Sequence, residues 1–294
     1  MKPNPTTLDA LSLIKHLKRQ PSEHKGHAGK AVLVGGAPSM AGALLLAGNA
    51  CLHLGAGWTI LEMLDPASAH VDIHQPELMI RLANAHFQEN LQSTQPDVIA
   101  IGPGLGKSEL ATQCLRTALT TEKIPLVIDA DALNLISESQ ELLAVLKKRN
   151  EKSPELTVIT PHPGEAAKLL NTTTESVQSD RISAVEQLVT LTQSIVVLKG
   201  QHTLIASAKH NPCQCLSGNP GMGTGGMGDV LTGSIAAIAA QGIRHHINLW
   251  QATVIAVELH ASAADNLVGK GVGPIGLTPS ETILEMRSLL NKLL

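Results

Sequence analysis

Aromatic side chains are almost missing from this 294-residue chain, which has one Phe, two Trp and no Tyr. Its core must be aliphatic, and a bound base would have to lie against backbone or aliphatic surface. Cysteine is scarce as well. Of Cys51, Cys114, Cys213 and Cys215 only the last two are close, and no C-x-x-C unit occurs. That leaves a zinc site or disulfide framework unsupported and points to reduced thiols in the cytoplasm. Apolar runs such as 41–47 and 235–240 fall well short of a bilayer span, and the polar, proline-containing N-terminus carries no export signal. Positive charge is not concentrated either: the net charge is -3 and no long Lys/Arg cluster occurs. Neither nucleic acid nor a membrane is an expected partner.

What is present is a large aliphatic supply, 43% of residues being hydrophobic, enough for one large or two small domains. No repeat, low-complexity tract or linker divides the chain. The expectation is one domain over residues 1–294, with 1–24 a peripheral arm in which Leu8, Leu11, Ile14 and Leu17 recur at three-residue spacing.

Short apolar strands alternate with helical stretches. Residues 31–34 end in Gly35-Gly36, a helix rich in Ala and Leu follows over 39–55, and a second strand is predicted over 58–63. Such a unit has parallel strands, so the class is α/β, and ligands bind beyond the carboxyl ends of the strands. Residues 97–101 lead into Gly102-Pro103-Gly104-Leu105-Gly106. This glycine spacing is one residue short of a dinucleotide fingerprint and contains a proline, so a Rossmann site is rejected while the loop is kept as ligand-facing. Residues 126–134 deliver Asp129, Asp131 and Asn134 at a strand end. Either both carboxylates share one strand face, or the strand stops first and Asp131 caps the next helix. Residues 157–160 run into Pro161-His162-Pro163-Gly164-Glu165, which holds His162 and Glu165 rigidly at the sheet's mouth. A further strand ends in Lys199-Gly200-Gln201-His202-Thr203, and the helices predicted from about 248 to 268 and 279 to 294 read as amphipathic cover.

The organising stretch is 217–229, Ser-Gly-Asn-Pro-Gly-Met-Gly-Thr-Gly-Gly-Met-Gly-Asp, followed by the apolar run 230–240. Six glycines and a proline in thirteen positions make a poor strand or helix interior. They make a loop with bare backbone N–H groups, and a helix starting after it adds its unpaired amides and the positive end of its dipole. Asp229 falls in the first helical turn of that anion hole. One reading is that it merely favours the helix N-terminus. The other is that it removes a proton from an alcohol whose oxygen attacks phosphorus.

The run Gly218-Asn219-Pro220-Gly221-Met222-Gly223-Thr224-Gly225-Gly226-Met227-Gly228-Asp229 resembles the signature of the ADP-dependent NAD(P)H-hydrate dehydratases, within the ribokinase-like superfamily, at every defined position of Gly-Asn-x-Gly-Met-x-x-Gly-Gly-Met-Gly-Asp. The resemblance extends from about Lys25 to the last helix. It implies a ribokinase-like three-layer α/β/α fold around a mostly parallel sheet. It also implies repair of the hydrated cofactors (S)-NADHX and (S)-NADPHX, with ADP as co-substrate, AMP and phosphate as products, and Mg2+ as cofactor. By the same resemblance Asp229 is catalytic, and Ala43, Gly104, His162 and Asp229 bind the substrate. Lys199, Gly200, Gln201, His202, Thr203, Asn219, Gly225, Gly226 and Gly228 bind the nucleotide, and Glu165 stands on the magnesium side, through water. The related vitamin kinases carry Asn-x-x-Glu where this chain has His162 and Glu165, a departure that favours the dehydratase. Two other functions stay open: a kinase of a small vitamin-like alcohol (hydroxymethylpyrimidine or hydroxyethylthiazole type), and a catalytically silent adenylate sensor. The residues themselves are silent on assembly; the working expectation is a homo-oligomer, a tetramer being one candidate.

Overall fold

The protein is described by a computed structural model, over residues 5–294. The arm supplies β1 (Thr6–Thr7) and the single turn α1 (Leu11–Ile14). There follow β2 (Lys30–Gly35), α2 (Ala41–His53), β3 (Trp58–Met63), β4 (Met79–Leu82), α3 (Phe87–Thr94), β5 (Val98–Ile101), α4 (Glu109–Thr120), β6 (Leu126–Ile128), α5 (Ala130–Glu138) and α6 (Gln140–Lys152). The second half comprises β7 (Thr157–Ile159), α7 (Pro163–Leu169), α8 (Thr174–Ser179), α9 (Arg181–Thr192), β8 (Ile195–Leu198), β9 (Leu204–Ala206), β10 (Cys213–Gln214), α10 (Met227–His245), α11 (Leu249–Gly269) and α12 (Pro279–Leu293).

The strands form one sheet in the order β1-β10-β9-β8-β7-β6-β5-β2-β3-β4. From β8 to β4 across the sheet every pairing is parallel, while β9 runs antiparallel to both β8 and β10. The expected three layers follow from strand alternation. Leu33, Leu61, Ala100 and Val127 face one apolar layer with α2, α10, α11 and α12. Their neighbours Val34, Ile60, Ile101 and Ile128 face the other, with α3 to α9.

From β2 the chain steps outward through β3 and β4, then returns to β5 on the other side of β2. The switch point between β2 and β5 opens a crevice at the carboxyl ends of the strands, where ligands of open α/β sheets bind. There the loops after β2 and β5 are tied together: Gly36 N–H donates to Pro103 O at 3.0 Å and Ala37 N–H to Gly104 O at 2.7 Å.

One element differs from expectation. Between 252 and 264, only Glu258 and Ser262 of α11 escape full burial, so α11 is an interior helix and not amphipathic cover. It lies between the sheet side and α12, so apolar residues occupy most of its circumference. The arm packs onto the main body through Ala10, Ile14 and Leu17, all at most 3% exposed; residues 1–4 of it lie outside the described residues.

Candidate active site

The glycine segment begins with a 3-10 turn, Pro220–Gly223, and ends at Gly226, which precedes α10 with φ +98°. A Cβ at Gly226 would sit 2.6 Å from Leu46 Cδ1, so glycine is required there by both conformation and space. At Gly223 and Gly225 the opposite holds: a Cβ would meet nothing within 4 Å. The loop is therefore braced from beneath by α2 and open above. Asp229 lies in the first turn of α10, as the sequence predicts.

Strand ends deliver most of the remaining groups. At the end of β8, Lys199 Nζ lies 2.7 Å from Asp129 Oδ1 and 3.9 Å from Glu165 Oε2. Asp129 leaves β6, is 1% exposed, and also accepts from Thr232 Oγ1 of α10 at 2.8 Å. Lys199 is thus held within a group of carboxylates rather than reaching freely towards solvent. Burial works against its ammonium, but Asp129, Glu165 and Asp229 outweigh burial and hold its pKa above the ordinary lysine value. For Asp229 burial comes first and the charge of Asp129 second; against the pull of Lys199 they raise its carboxyl to about 7. A carboxylate poised near neutral pH, half-buried beside bare amides, has the properties of a general base.

His162 and Glu165 form a reciprocal capping box on α7. His162 Nδ1 accepts from Gly164 N–H at 3.0 Å and Glu165 N–H at 3.3 Å, and Glu165 Oε2 accepts from His162 N–H at 2.8 Å. The ring proton must then lie on Nε2, 3.4 Å from Glu165 Oε1. Burial, and next the charge of Lys199, lower the His162 pKa and keep the ring neutral, while burial raises that of Glu165. An Asn side chain can accept the same two amides, so His162 in place of Asn is locally conservative. It does not by itself separate a dehydratase from a kinase.

The other predicted residues fall around the same crevice. Ala43 on α2 faces Gly104, whose φ is +56° and whose added Cβ would lie 3.2 Å from Ala43 Cβ. Residues 200–203 form the exposed turn after β8, braced by Thr203 Oγ1 donating to Gly200 O at 3.0 Å. Asn219 is turned inward: its Oδ1 accepts from Gly221 N–H and its Nδ2 donates to Asp265. Two cavities, of 640 Å³ against α3 and α4 and of 380 Å³ beside His210 and Leu249, contain none of these residues.

Sequence reasoning named Asp129 and Asp131 at a strand end but gave neither a site role, and it missed Thr232. The strand stops at Ile128, and Ala130 takes a left-handed φ of +48°. Asp129 thereby turns to Lys199 and Thr232. Asp131 does not cap α5 but accepts Gly106 N–H at 2.9 Å, tying the loops after β5 and β6. The signal was the paired Asp at a strand end; its partners, 70 and 103 residues away, are not legible locally.

A magnesium ion needs oxygen ligands, but it commonly takes only one or two carboxylates, with phosphates and waters completing its shell. Among the described residues no cluster of three or more His, Cys, Asp or Glu ligands occurs. Glu165 is 5% exposed and its Oε2 is taken by His162 N–H, so a role toward such an ion would run through water.

Residues 31–283 match the profile of the NAD(P)H-hydrate dehydratase family. The chain belongs to that family. An ADP-dependent (S)-NAD(P)H-hydrate dehydratase from Neisseria meningitidis serogroup B is 35% identical over 94% of this chain and 89% of its own length. A bifunctional NAD(P)H-hydrate repair enzyme from Vibrio cholerae is 41% identical over 93% of this chain. The chain covers 52% of that protein, about half the length of the first curated relatives it matches. Among solved structures, the ADP/ATP-dependent NAD(P)H-hydrate dehydratase from Bacillus subtilis, co-crystallized with ATP and Mg2+, superposes with a TM-score of 0.81. It shows 26% identity and covers 99% of both chains. Family membership extends over both the anion loop and the carboxylate group, and the fold is the ribokinase-like one expected.

Proposed function

We propose that the chain is a hydro-lyase that dehydrates (S)-NADHX and (S)-NADPHX to NADH and NADPH with ADP as co-substrate, releasing AMP and phosphate. The observation carrying this is Asp229, a carboxylate raised to about 7 in the first turn of α10, beside the open glycines of the anion loop. Hydroxide is a poor leaving group and phosphate a good one. Asp229 takes the proton of the ring hydroxyl while that oxygen attacks the terminal phosphorus of ADP, and the bond from phosphorus to the AMP oxygen breaks. Amides of Gly225, Gly226 and Gly228 neutralise charge on the transferring oxygens. The turn from Lys199 to Thr203 and the loop from Asn219 receive the nucleotide, with Lys199 as its cation. Ala43, Gly104 and neutral His162 line the substrate side. Phosphate then leaves with a proton from the neighbouring ring carbon, restoring the dihydropyridine.

Glu165 would hold Mg2+ through water; that ion, when bound, neutralises diphosphate oxygens. The reading takes residues 1–294 as one domain of a cytoplasmic homo-oligomer, and a single-chain mass by light scattering would contradict the assembly. Incubation with NADHX and ADP, followed at the absorbance of NADH with AMP and phosphate counted, tests the activity. Equal yields of the three support it. A stable phosphorylated product with no NADH would support a kinase instead.

A further inference from the structure

The anion loop is gripped from behind by one face of α11. Glu258, Ser262 and Asp265 lie at i, i+4 and i+7, hence on the same side of that helix. Glu258 Oε1 accepts from Ser217 Oγ at 2.9 Å and Ser262 Oγ at 2.8 Å, and its Oε2 from Cys215 Sγ at 3.3 Å. One turn on, Asp265 Oδ2 accepts from Gly218 N–H at 2.7 Å and Oδ1 from Asn219 Nδ2 at 2.8 Å. Asn219 Oδ1 in turn accepts from Gly221 N–H at 3.0 Å, capping the turn Pro220–Gly223.

The polarity of this relay has one solution. A backbone N–H only donates and an ionised carboxylate only accepts, so the Asn219 amide must point its nitrogen at Asp265 and its oxygen at Gly221. Both polar ends of Asn219 are thereby engaged within the protein. From this geometry we infer that Asp265 is a positioning residue of the nucleotide site. Acting through Gly218 and Asn219, it fixes the turn Pro220–Gly223 and so the amides that follow it, in the form that receives the ADP diphosphate. The inference rests on the ADP-dependent reading above and adds to it a residue that touches no reacting atom.

Asp265→Asn breaks the relay. Its oxygen can still accept Gly218 N–H, but its NH2 then faces the NH2 of Asn219; flipping Asn219 repairs that clash and abandons Gly221. Asn219→Asp fails differently, by setting two carboxylates against each other. The exchanged double variant D265N/N219D restores every bond. Its amide, now on α11, accepts from Gly218 and donates to the carboxylate now on the loop, which accepts from Gly221.

The test is ADP binding by titration calorimetry, with steady-state kinetics, on the wild type, both single variants and the double variant. Each single variant should weaken ADP binding and raise its KM about tenfold, the loss expected for one hydrogen bond to a charged group. For Asp265→Asn, kcat at saturating ADP should stay within about threefold, because the base is untouched. The double variant should bind ADP more tightly than either single one, which also covers the case in which a single variant folds poorly. Wild-type affinity in D265N, or a double variant no better than its parents, overturns the positioning role alone. A wild-type protein that binds no ADP overturns that role and the ADP-dependent reading together.

Discussion

Lys199 Nζ stands 2.7 Å from Asp129 Oδ1, joining the end of β8 to the end of β6 beneath the first turn of α10. Asp129 is 1% exposed, and its oxygens are compensated by that ammonium and by the Thr232 hydroxyl. Lys199→Met should cost about 3 kcal/mol of stability, because it strands a buried carboxylate. Adding Asp129→Asn should recover at least about 1 kcal/mol of this, since an amide needs no counter-charge. Urea unfolding of the two single variants and the double variant measures the coupling; strictly additive losses would contradict it.

Adjacent glycines of the loop should respond in opposite ways. Gly225→Ala meets no protein atom, so its Tm should match the wild type within about 1 °C, as for neutral surface changes, while the KM for ADP rises. Gly226→Ala must adopt φ +98° and displace Leu46, so it should lose about 1–3 kcal/mol of stability. Melting curves alongside ADP kinetics separate the two effects.

Gly233 reports on the fold without touching the site. α10 crosses α2 so closely there that an added Cβ would lie 1.9 Å from Ala47 O. Gly233→Ala should destabilise by about 1–3 kcal/mol through overpacking, in spite of its better helix propensity. A stability equal to wild type in urea would show that α2 and α10 do not approach this closely.

Much of the architecture was legible in the sequence. The strand predicted over 58–63 is β3, 31–34 lies inside β2, and Asp229 enters a first helical turn as the glycine pattern requires. These features are local, written in period and in glycine. The carboxylate group was not legible, because Asp129 meets its partners only when β6, β8 and α10 come together. Nor was the burial of α11 obvious: its Ala-rich sequence fits a half-covered helix as well as an enclosed one. His162 was read by comparison with Asn, and only the structure shows its local work, Nδ1 accepting from Gly164 and Glu165 N–H, which an Asn oxygen could also do.

Asp229 should leave a signature in pH. Its folded pKa, about 7, lies above the unfolded value of 3.8. Between these values the folded protein binds a proton that the unfolded chain has released, so this group's contribution falls as pH rises through the window. Asp229→Asn removes the penalty. It should raise Tm by about 2–4 °C per kcal/mol relieved, fully at pH 8 and hardly at all at pH 4. In the wild type kcat/KM should climb as pH rises through about 7, the direction of a base that must be ionised in the free enzyme.

The most direct measurement is a single turnover of Asp229→Asn with ADP and NADHX both saturating, watched at the NADH absorbance, with ADP affinity determined on the same sample. ADP should bind as in the wild type and the NADH signal should fall by at least about 10²-fold, the range typical of losing a general base. NADH formation at the wild-type rate would show that the proton of the hydroxyl leaves by another route.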